Sequence, residues 1–592
     1  MGPIARLARE FRFISGLART LWRVHDIAPD SETLVCDDFE EAVDKFAEHT
    51  AVVFEGANYT YAQLDALANR FAAWGDAQGL KPGDTVALLL PNRAEYVPAW
   101  TGLAKIGVAT ALINNNLTGS ALAHCLSISG ADHVLTDGEG LAAAETIRAG
   151  LPRPLTYWSI DAGADAQTLD LKTPRDRPNR TKRAGQRAKD TALYIFTSGT
   201  TGMPKAARIT HMRAQLYMRA FAGATNANAQ DRVYCALPLY HSTGGLCAVG
   251  SALLNGGTLV VRRKFSASHF WDDIVDNDCT IFVYIGELCR YLVNQPPNPK
   301  ERMHHLRLAF GNGMRPDVWT EFQQRFGVWN ILEFYGSTEG NVSMFNFDGQ
   351  PGAVGRVPPY LRGRFNVKLV KFDVENEAPV RGADGLCIEC TPGEIGEAVG
   401  LIGADARDNY SGYADKAASE KKVLHDAFTK GDAWFRTGDL MRQDSDGYFY
   451  FVDRIGDTFR WKGENVSTTE VAEVISRFPG VAEVNVYGVA IKGVDGRAGM
   501  AAITPSEGFH LEGLQTFLEK ELPAYARPIF VRIQPAIETT GTFKYRKVDL
   551  VSDGFDPAKS EHQLYFGDPE TRDYERITPD LYAKIQSGGF KL

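Results

Sequence analysis

Cysteine is scarce in this chain: eight residues among 592, spread without a dense framework. That excludes a disulfide-stapled scaffold, and with no secretory leader at the start the usage is that expected of a reducing, cytoplasmic compartment. Cys387 and Cys390 form one C-x-x-C, but no second pair lies nearby to complete a tetrahedral zinc site. A basic surplus is missing as well. With a net charge of −9 there is no general case for displacing counterions from phosphates, so no nucleic acid is expected as a partner. Long apolar runs are also lacking. Val233 to Val261 comes nearest, 29 residues without Asp, Glu, Lys or Arg, but Pro238, His241 and five glycines interrupt it. Ser242, Thr243 and Asn255 make it a poor lipid partner, so a buried strand and helix fit better. No internal repeat is evident. What is present, 44% hydrophobic and 23% charged residues, is ordinary for soluble globular protein, and the length suggests roughly three or four domain-sized units.

The most informative stretch is LYIFTSGTTGMPK, Leu193 to Lys205. Four residues with strand preference run into a loop of hydroxyls and glycines that ends in a lysine. Gly199 and Gly202 free the backbone to turn N–H groups toward one point, Thr197, Ser198, Thr200 and Thr201 add donors, and Lys205 brings a full charge. The pattern is that of a polyphosphate cradle. It is not the nucleotide loop of kinases and GTPases, because Pro204 stands where that loop has glycine and Ala206 where it has a hydroxyl. The lost hydroxyl is that loop's magnesium ligand, so a metal carboxylate has to come from elsewhere in the chain.

Earlier in the chain, Ile4, Leu7, Phe11, Ile14, Ala18, Leu21 and Trp22 share one helical stripe, with Arg9, Arg12, Arg19 and Arg23 opposite. This predicts a basic amphipathic helix over residues 1–29, too polar to span a bilayer. It either lies at the inner face of a membrane, as a peripheral contact through Met1 to Arg23, or packs its stripe on the protein body. From Lys81 the pattern becomes strand, turn, helix: Thr85 to Leu90, a helix near Glu95 to Ile106, Val108 to Ile113, then His133 to Thr136. Such alternation predicts an α/β fold with a mainly parallel sheet. Leu151 to Asp190, rich in Pro, Arg, Lys and Asp, reads as a surface connection.

Further segments carry chemistry. His241 lies in PLYHSTGG, a setting that favours a substrate pocket over a satisfied core histidine. EFYGSTE, Glu333 to Glu339, offers a ring to stack on a base, hydroxyls for a phosphate and a carboxylate for magnesium. WFRTGDL ends near Asp439, which suits ribose hydroxyls. Tyr448 to Val471 leads into a helix capped at Ser467 or Thr468 with Glu470 nearby. Lys544 stands on the glycine-flanked loop TTGTFKYRK, where spacing alone reads a solvated lysine.

In this order the segments resemble the adenylate-forming superfamily of acyl-CoA synthetases, firefly luciferase and peptide-synthetase adenylation domains. RRKFSASHFWDD (Arg262 to Asp273), TIFVYIGELCRYLVNQPP (Thr280 to Pro297), the run from TGDL to STTEV and ELPAYARPIF (Glu521 to Phe530) are similar to the fatty acid transport protein and very-long-chain acyl-CoA synthetase family. The resemblance implies a large multi-subdomain N-terminal adenylation domain over 30–452, a hinge at 453–457 and a small mobile α+β C-terminal domain over 458–592. It implies that a fatty acid attacks the α-phosphate of ATP to give acyl-AMP and diphosphate, after which CoA displaces AMP. Thr197 to Lys205 would then hold the β- and γ-phosphates, Thr338 the α-phosphate and Glu339 the Mg2+ ion. Tyr335 and Gly336, with the backbone of Gly311 to Gly313, would receive adenine; Asp439 and Arg454 the ribose. Lys544 would orient the carboxylate, and Gly463 would line the pantetheine tunnel. Gly456 stands where many members have Asp or Lys, which leaves the torsion-bearing hinge residue open. A CoA ligase for a steroid-type acid, and a lipid transport or binding protein without ligase activity, are the alternative readings.

Overall fold

The structure is a computed structural model that describes residues 3–590, apart from 162–166, 198–202, 375, 404, 406, 407, 463, 495, 538–546, 569 and 570. The chain divides into two compact units, Met1–Asn366 with Gly400–Val423, and Val367–Val399 with Leu424–Leu592.

In the first unit the aliphatic runs become strands. Thr85–Leu89, Ala109–Leu112 and His133–Thr136 form within a residue of the ranges predicted, and the helix Tyr96–Ala104 crosses between the first two. The sheet order is Gln167–Thr168, Thr156–Ser159, His133–Thr136, Thr85–Leu89, Ala109–Leu112, Thr191–Thr197, Lys205–Thr210. All neighbours are parallel except the last pair. A second sheet runs Ser343–Asn346, Ile331–Gly336, Leu308–Asn312, Ile281–Ile285, Arg232–Cys235, Thr258–Val261, Thr50–Phe54, Ala57–Thr60. It is antiparallel only at its two ends. The central strands are buried on both faces, which is why they read as continuous apolar runs rather than alternating ones. The fold is α/β with mainly parallel sheets, as expected.

The uncharged run from Val233 to Val261 folds as the strand Arg232–Cys235, a π-helical turn Thr243–Ala248 continuing into the helix Val249–Leu253, and the strand Thr258–Val261. Among the described residues no helix is long and apolar enough to cross a membrane.

The N-terminal helix, Pro3–Val24, settles which of its faces packs. Phe13, Gly16, Thr20 and Val24 are buried as it runs against the helix His211–Ala224. The stripe read from the sequence points outward: Ile4 is 86% exposed, Leu7 and Phe11 73%, Trp22 69%. The alternative in which the stripe packs on the body is thereby corrected, and it is the arginine face that is engaged by the body. Arg23 donates to Asn255 Oδ1 at 2.5 Å and Arg19 to the Gly223 carbonyl at 3.4 Å. Glu10 accepts from Arg356 at 2.5 Å and from the Tyr360 hydroxyl at 2.6 Å. Of the four arginines only Arg12 is exposed.

In the second unit, Ala433–Gln443 pairs antiparallel with Tyr448–Arg454. A sheet of Val481–Val489, Ala498–Pro505, Phe530–Ile533, Gln563–Asp568 and Asp573–Arg576 carries a separate core that includes Trp461, Tyr487, Met500, Phe530 and Phe566. Ser467 caps the helix Thr468–Ile475 by accepting from the Glu470 N–H, as the sequence predicts. Asp453 gathers the Thr468 N–H at 2.7 Å and the Thr458 hydroxyl at 3.0 Å, and Lys547 donates to Asp457 at 3.1 Å. Gly456 has φ +92°, the left-handed region in which a side chain would be strained.

Candidate active site

Thr197 ends one strand and Lys205 begins the next, antiparallel to it, and the two are register partners. Ser198, Gly199, Thr200, Thr201 and Gly202 lie outside the described residues. Within the same unit, Lys205 Nζ stands 5.5 Å from the centre of the Tyr413 ring, and the Tyr413 hydroxyl donates to Glu339 Oε1 at 2.6 Å. Burial, then the Glu339 charge, pushes the Tyr413 phenol well above its ordinary pKa, so it stays a donor. Thr338 is buried, and its hydroxyl lies 3.3 Å from that of Ser242.

The turn that carries Thr338 and Glu339 is held from below by one helix. On His211–Ala224, Arg213 and Tyr217 are one turn apart and so share a face. Arg213 donates to the carbonyls of Ser337, at 3.0 Å, and Gly340; the Tyr217 hydroxyl donates to the Ser337 carbonyl at 2.7 Å. Two carbonyls at a strand end are thereby satisfied by a cation and a phenol, and the turn has little freedom.

Tyr335 and Gly336, both half-buried, complete the strand Ile331–Gly336. Its neighbour Leu308–Asn312 places Gly311 in register between Tyr284 and Glu333. A Cβ on Gly311 would come within 2.1 Å of the Tyr284 carbonyl oxygen, so only glycine fits there. The buried Glu333 carboxyl accepts from the N–H groups of Gly313 (3.1 Å) and Met314 (2.9 Å) and from the Tyr284 hydroxyl (2.8 Å). Burial lifts its pKa to about 8, the three donors opposing that rise. This carboxyl pins the backbone of the Gly311–Gly313 loop.

His241 is half-buried, and its carbonyl accepts the Gly245 N–H at 2.7 Å where the π-helical turn begins. Such turns widen a helix and recur at functional sites. In the second unit, strand pairing sets Asp439 opposite Arg454 with Nε 3.4 Å from Oδ1. The fully buried Glu397 holds Arg436 at 2.8 Å and the Gly438 N–H at 3.2 Å, which fixes the strand segment before Asp439. Gly463 and Lys544 lie outside the described residues.

Thr197, Lys205, Ser242, Thr338, Glu339 and Tyr413 thus form a corner of hydroxyls, one cation and one carboxylate. Its donor set suits a phosphate ester, and the hard carboxylate oxygen suits a small divalent cation. Among the described residues the second oxygen of Glu339 takes no hydrogen bond, so it is open to such a cation. Tyr413, Arg213, Tyr217, Ser242 and Glu333 were not singled out from the sequence. Only Glu333 carried a local signal there, as a lone carboxyl between the apolar pairs Ile331–Leu332 and Phe334–Tyr335.

The sequence profile of the AMP-binding enzymes matches residues 39–397, and that of the AMP-binding enzyme C-terminal domain matches residues 470–544. Long-chain fatty acid transport protein 1 of Homo sapiens is 44% identical over 94% of this chain and 88% of its own length. Long-chain fatty acid transport protein 6 of Mus musculus is 42% identical over 93% and 91%. Among solved structures, an anthranilate CoA ligase in complex with anthranoyl-AMP superposes with TM-score 0.73 at 22% identity, covering 89% of this chain and 98% of that one. O-succinylbenzoate coenzyme A synthetase from Bacillus subtilis, in complex with ATP and magnesium ion, gives 0.69 at 24% identity, covering 87% and 99%. At these identities the structural likeness speaks for the fold alone.

Proposed function

Because the chain belongs to the AMP-binding enzyme family and, within it, to the family of the long-chain fatty acid transport proteins, we propose that it joins a long-chain or very-long-chain fatty acid to CoA. The family chemistry is AMP-forming acid–CoA ligation through an acyl-adenylate. The observation that carries the finer reading is the identity to the transport proteins over nearly the whole chain.

Residue roles follow from the chemistry of the corner. Lys205 and the hydroxyl loop from Thr197 neutralise and orient the β- and γ-phosphates, and the Thr338 hydroxyl meets the α-phosphate. Glu339 would hold Mg2+, which when bound supplies charge neutralisation for the departing diphosphate. Glu333 keeps the Gly311–Gly313 backbone in place beside adenine, with Tyr335 as stacking platform and Gly336 completing the strand. Asp439 takes the ribose hydroxyls, and Arg454 orients it. His241 lines the acyl pocket. Lys544 orients the acid in the first half-reaction and Gly463 serves pantetheine in the second, as a C-terminal domain over 458–592 turns about 453–457. The left-handed Gly456 supports a pivot there. Catalysis is then positioning plus electrostatics, with no acid–base relay.

The exposed ridge of the N-terminal helix supports a peripheral membrane contact at the cytoplasmic face that would bring insoluble acids to the enzyme. The deciding experiment is thioester formation with ATP, CoA and fatty acids of graded length, followed alongside diphosphate release. Turnover rising toward long chains is expected. Turnover confined to a steroid-type acid replaces the substrate, and fatty-acid binding without diphosphate release replaces the activity.

A further inference from the structure

Tyr413 stands 74 residues from the carboxylate it touches, yet the fold holds it tightly. Residues 412–414 extend the sheet beside the strand that begins at Lys205. The Arg208 N–H donates to the Gly412 carbonyl at 3.1 Å, the Ala414 N–H donates to the Ala206 carbonyl at 3.0 Å, and Ala207 bridges to Tyr413. On the other side Ser419 Oγ accepts the Tyr413 N–H at 2.9 Å. The ring packs among Ala207 and Ala418 and is 9% exposed. One short segment therefore presents a single phenol to both charged partners of the corner. Its face lies toward the Lys205 ammonium and its hydroxyl reaches one oxygen of Glu339.

Two consequences follow from elementary chemistry. A carboxylate that has given one oxygen to a buried donor is restrained in its rotation, so its second oxygen favours one direction. A lysine over an aromatic face keeps its charge and loses part of its side-chain freedom before any phosphate arrives. We propose that Tyr413 is a positioning residue of the phosphate–metal corner, fixing the free oxygen of Glu339 for a divalent cation and pre-ordering Lys205 for the phosphates. This rests on the reading of Glu339 as the metal carboxylate given above.

The test uses the full chain and the variants Tyr413→Phe, Tyr413→Leu and Glu339→Gln. Diphosphate release is measured across a magnesium titration. Mn2+ affinity is measured by electron paramagnetic resonance with a nonhydrolysable ATP analogue present. Tyr413→Phe keeps the ring and loses only the donor, so the cation midpoint should rise about tenfold in both measurements while KM for ATP stays nearly unchanged. Tyr413→Leu should raise both the cation midpoint and KM for ATP. Thermal midpoints close to that of the natural protein exclude unfolding as the cause. If Glu339→Gln shifts the cation midpoint and Tyr413→Phe does not, the positioning role is overturned and the metal assignment stands. If neither variant shifts it, both are overturned.

Discussion

Glu333 makes the Gly311–Gly313 loop sensitive to pH in a defined direction. Its carboxyl is raised from an ordinary value of 4.5 to about 8, burial outweighing the donors from Met314, Tyr284 and Gly313. A raised folded value means that the fold favours the protonated form. The group's contribution to stability is therefore complete below pH 4.5 and is lost as the pH climbs to about 8. Within that window the loss is up to about 1.4 kcal/mol per pH unit. Loop geometry moves the other way. Oε1 accepts from both Met314 and Tyr284 in either protonation state, whereas Oε2, which faces the Gly313 N–H, is a poor acceptor while it carries the proton. Ionisation converts that contact into a charge-assisted bond, worth about 1 kcal/mol more, so the loop tightens by roughly fivefold as the pH passes 8. The assay is KM for ATP in diphosphate release between pH 6 and 9.5, with thermal midpoints over the same range. The natural chain should show KM falling and the midpoint falling as pH rises. Glu333→Gln, whose amide does not titrate, should lose the fall in KM and show a smaller fall in the midpoint, the remainder coming from buried thiols that burial raises above their ordinary value. Parallel pH profiles for the two proteins would refute the assignment of the titration to this carboxyl.

Glu339→Gln should lower diphosphate release on the order of 100-fold at limiting magnesium while leaving the thermal midpoint nearly unchanged; near-normal release would remove Glu339 from the metal site. On the N-terminal helix, Phe11→Ala combined with Trp22→Ala should weaken binding to anionic vesicles about 10- to 100-fold in a sedimentation assay and spare turnover of short soluble acids. Equal vesicle binding by the two proteins would remove the ridge from membrane contact. Lys544→Ala should abolish synthesis from fatty acid and ATP yet convert supplied acyl-AMP and CoA to thioester, and Gly463→Leu should do the reverse. Single-turnover assays of each half-reaction decide it, and parallel loss of both steps in folded variants would end the alternating-domain reading.

What was legible in the sequence is what depends on neighbours along the chain. Thr85–Leu89 and His133–Thr136 are short apolar runs bounded by turn residues, and nothing distant had to be known to find them. Ser467 and Glu470 are close enough in sequence to read as a cap. The segments around Thr338, Asp439 and Lys205 stand out in the sequence for the same reason, since each carries its polar groups within a few residues. The N-terminal helix marks the limit of such reading. Periodicity found its larger apolar stripe but could not say which face packs. The body is met instead by Phe13 and Val24 together with polar contacts to residues more than two hundred positions away, the hydrogen bond of Arg23 to Asn255 and the ion pair of Glu10 with Arg356.

The residues that hold the candidate site in shape were illegible for a common reason. Tyr413 reaches Glu339 across 74 positions, Tyr284 reaches Glu333 across 49, and Arg213 reaches the Ser337 carbonyl across 124. Each is a single polar side chain in locally ordinary sequence, and its partner is chosen by sheet register or helix packing. A loop can announce a phosphate because many weak donors are clustered in it. A pin works through one side chain, and one residue makes no pattern. Sequence motifs therefore mark where the substrates would be touched, while the rigidity that makes those touches productive rests on residues such as Tyr413, Arg213 and Glu333. Substitution of these pins should change cation and nucleotide dependence before it changes the fold.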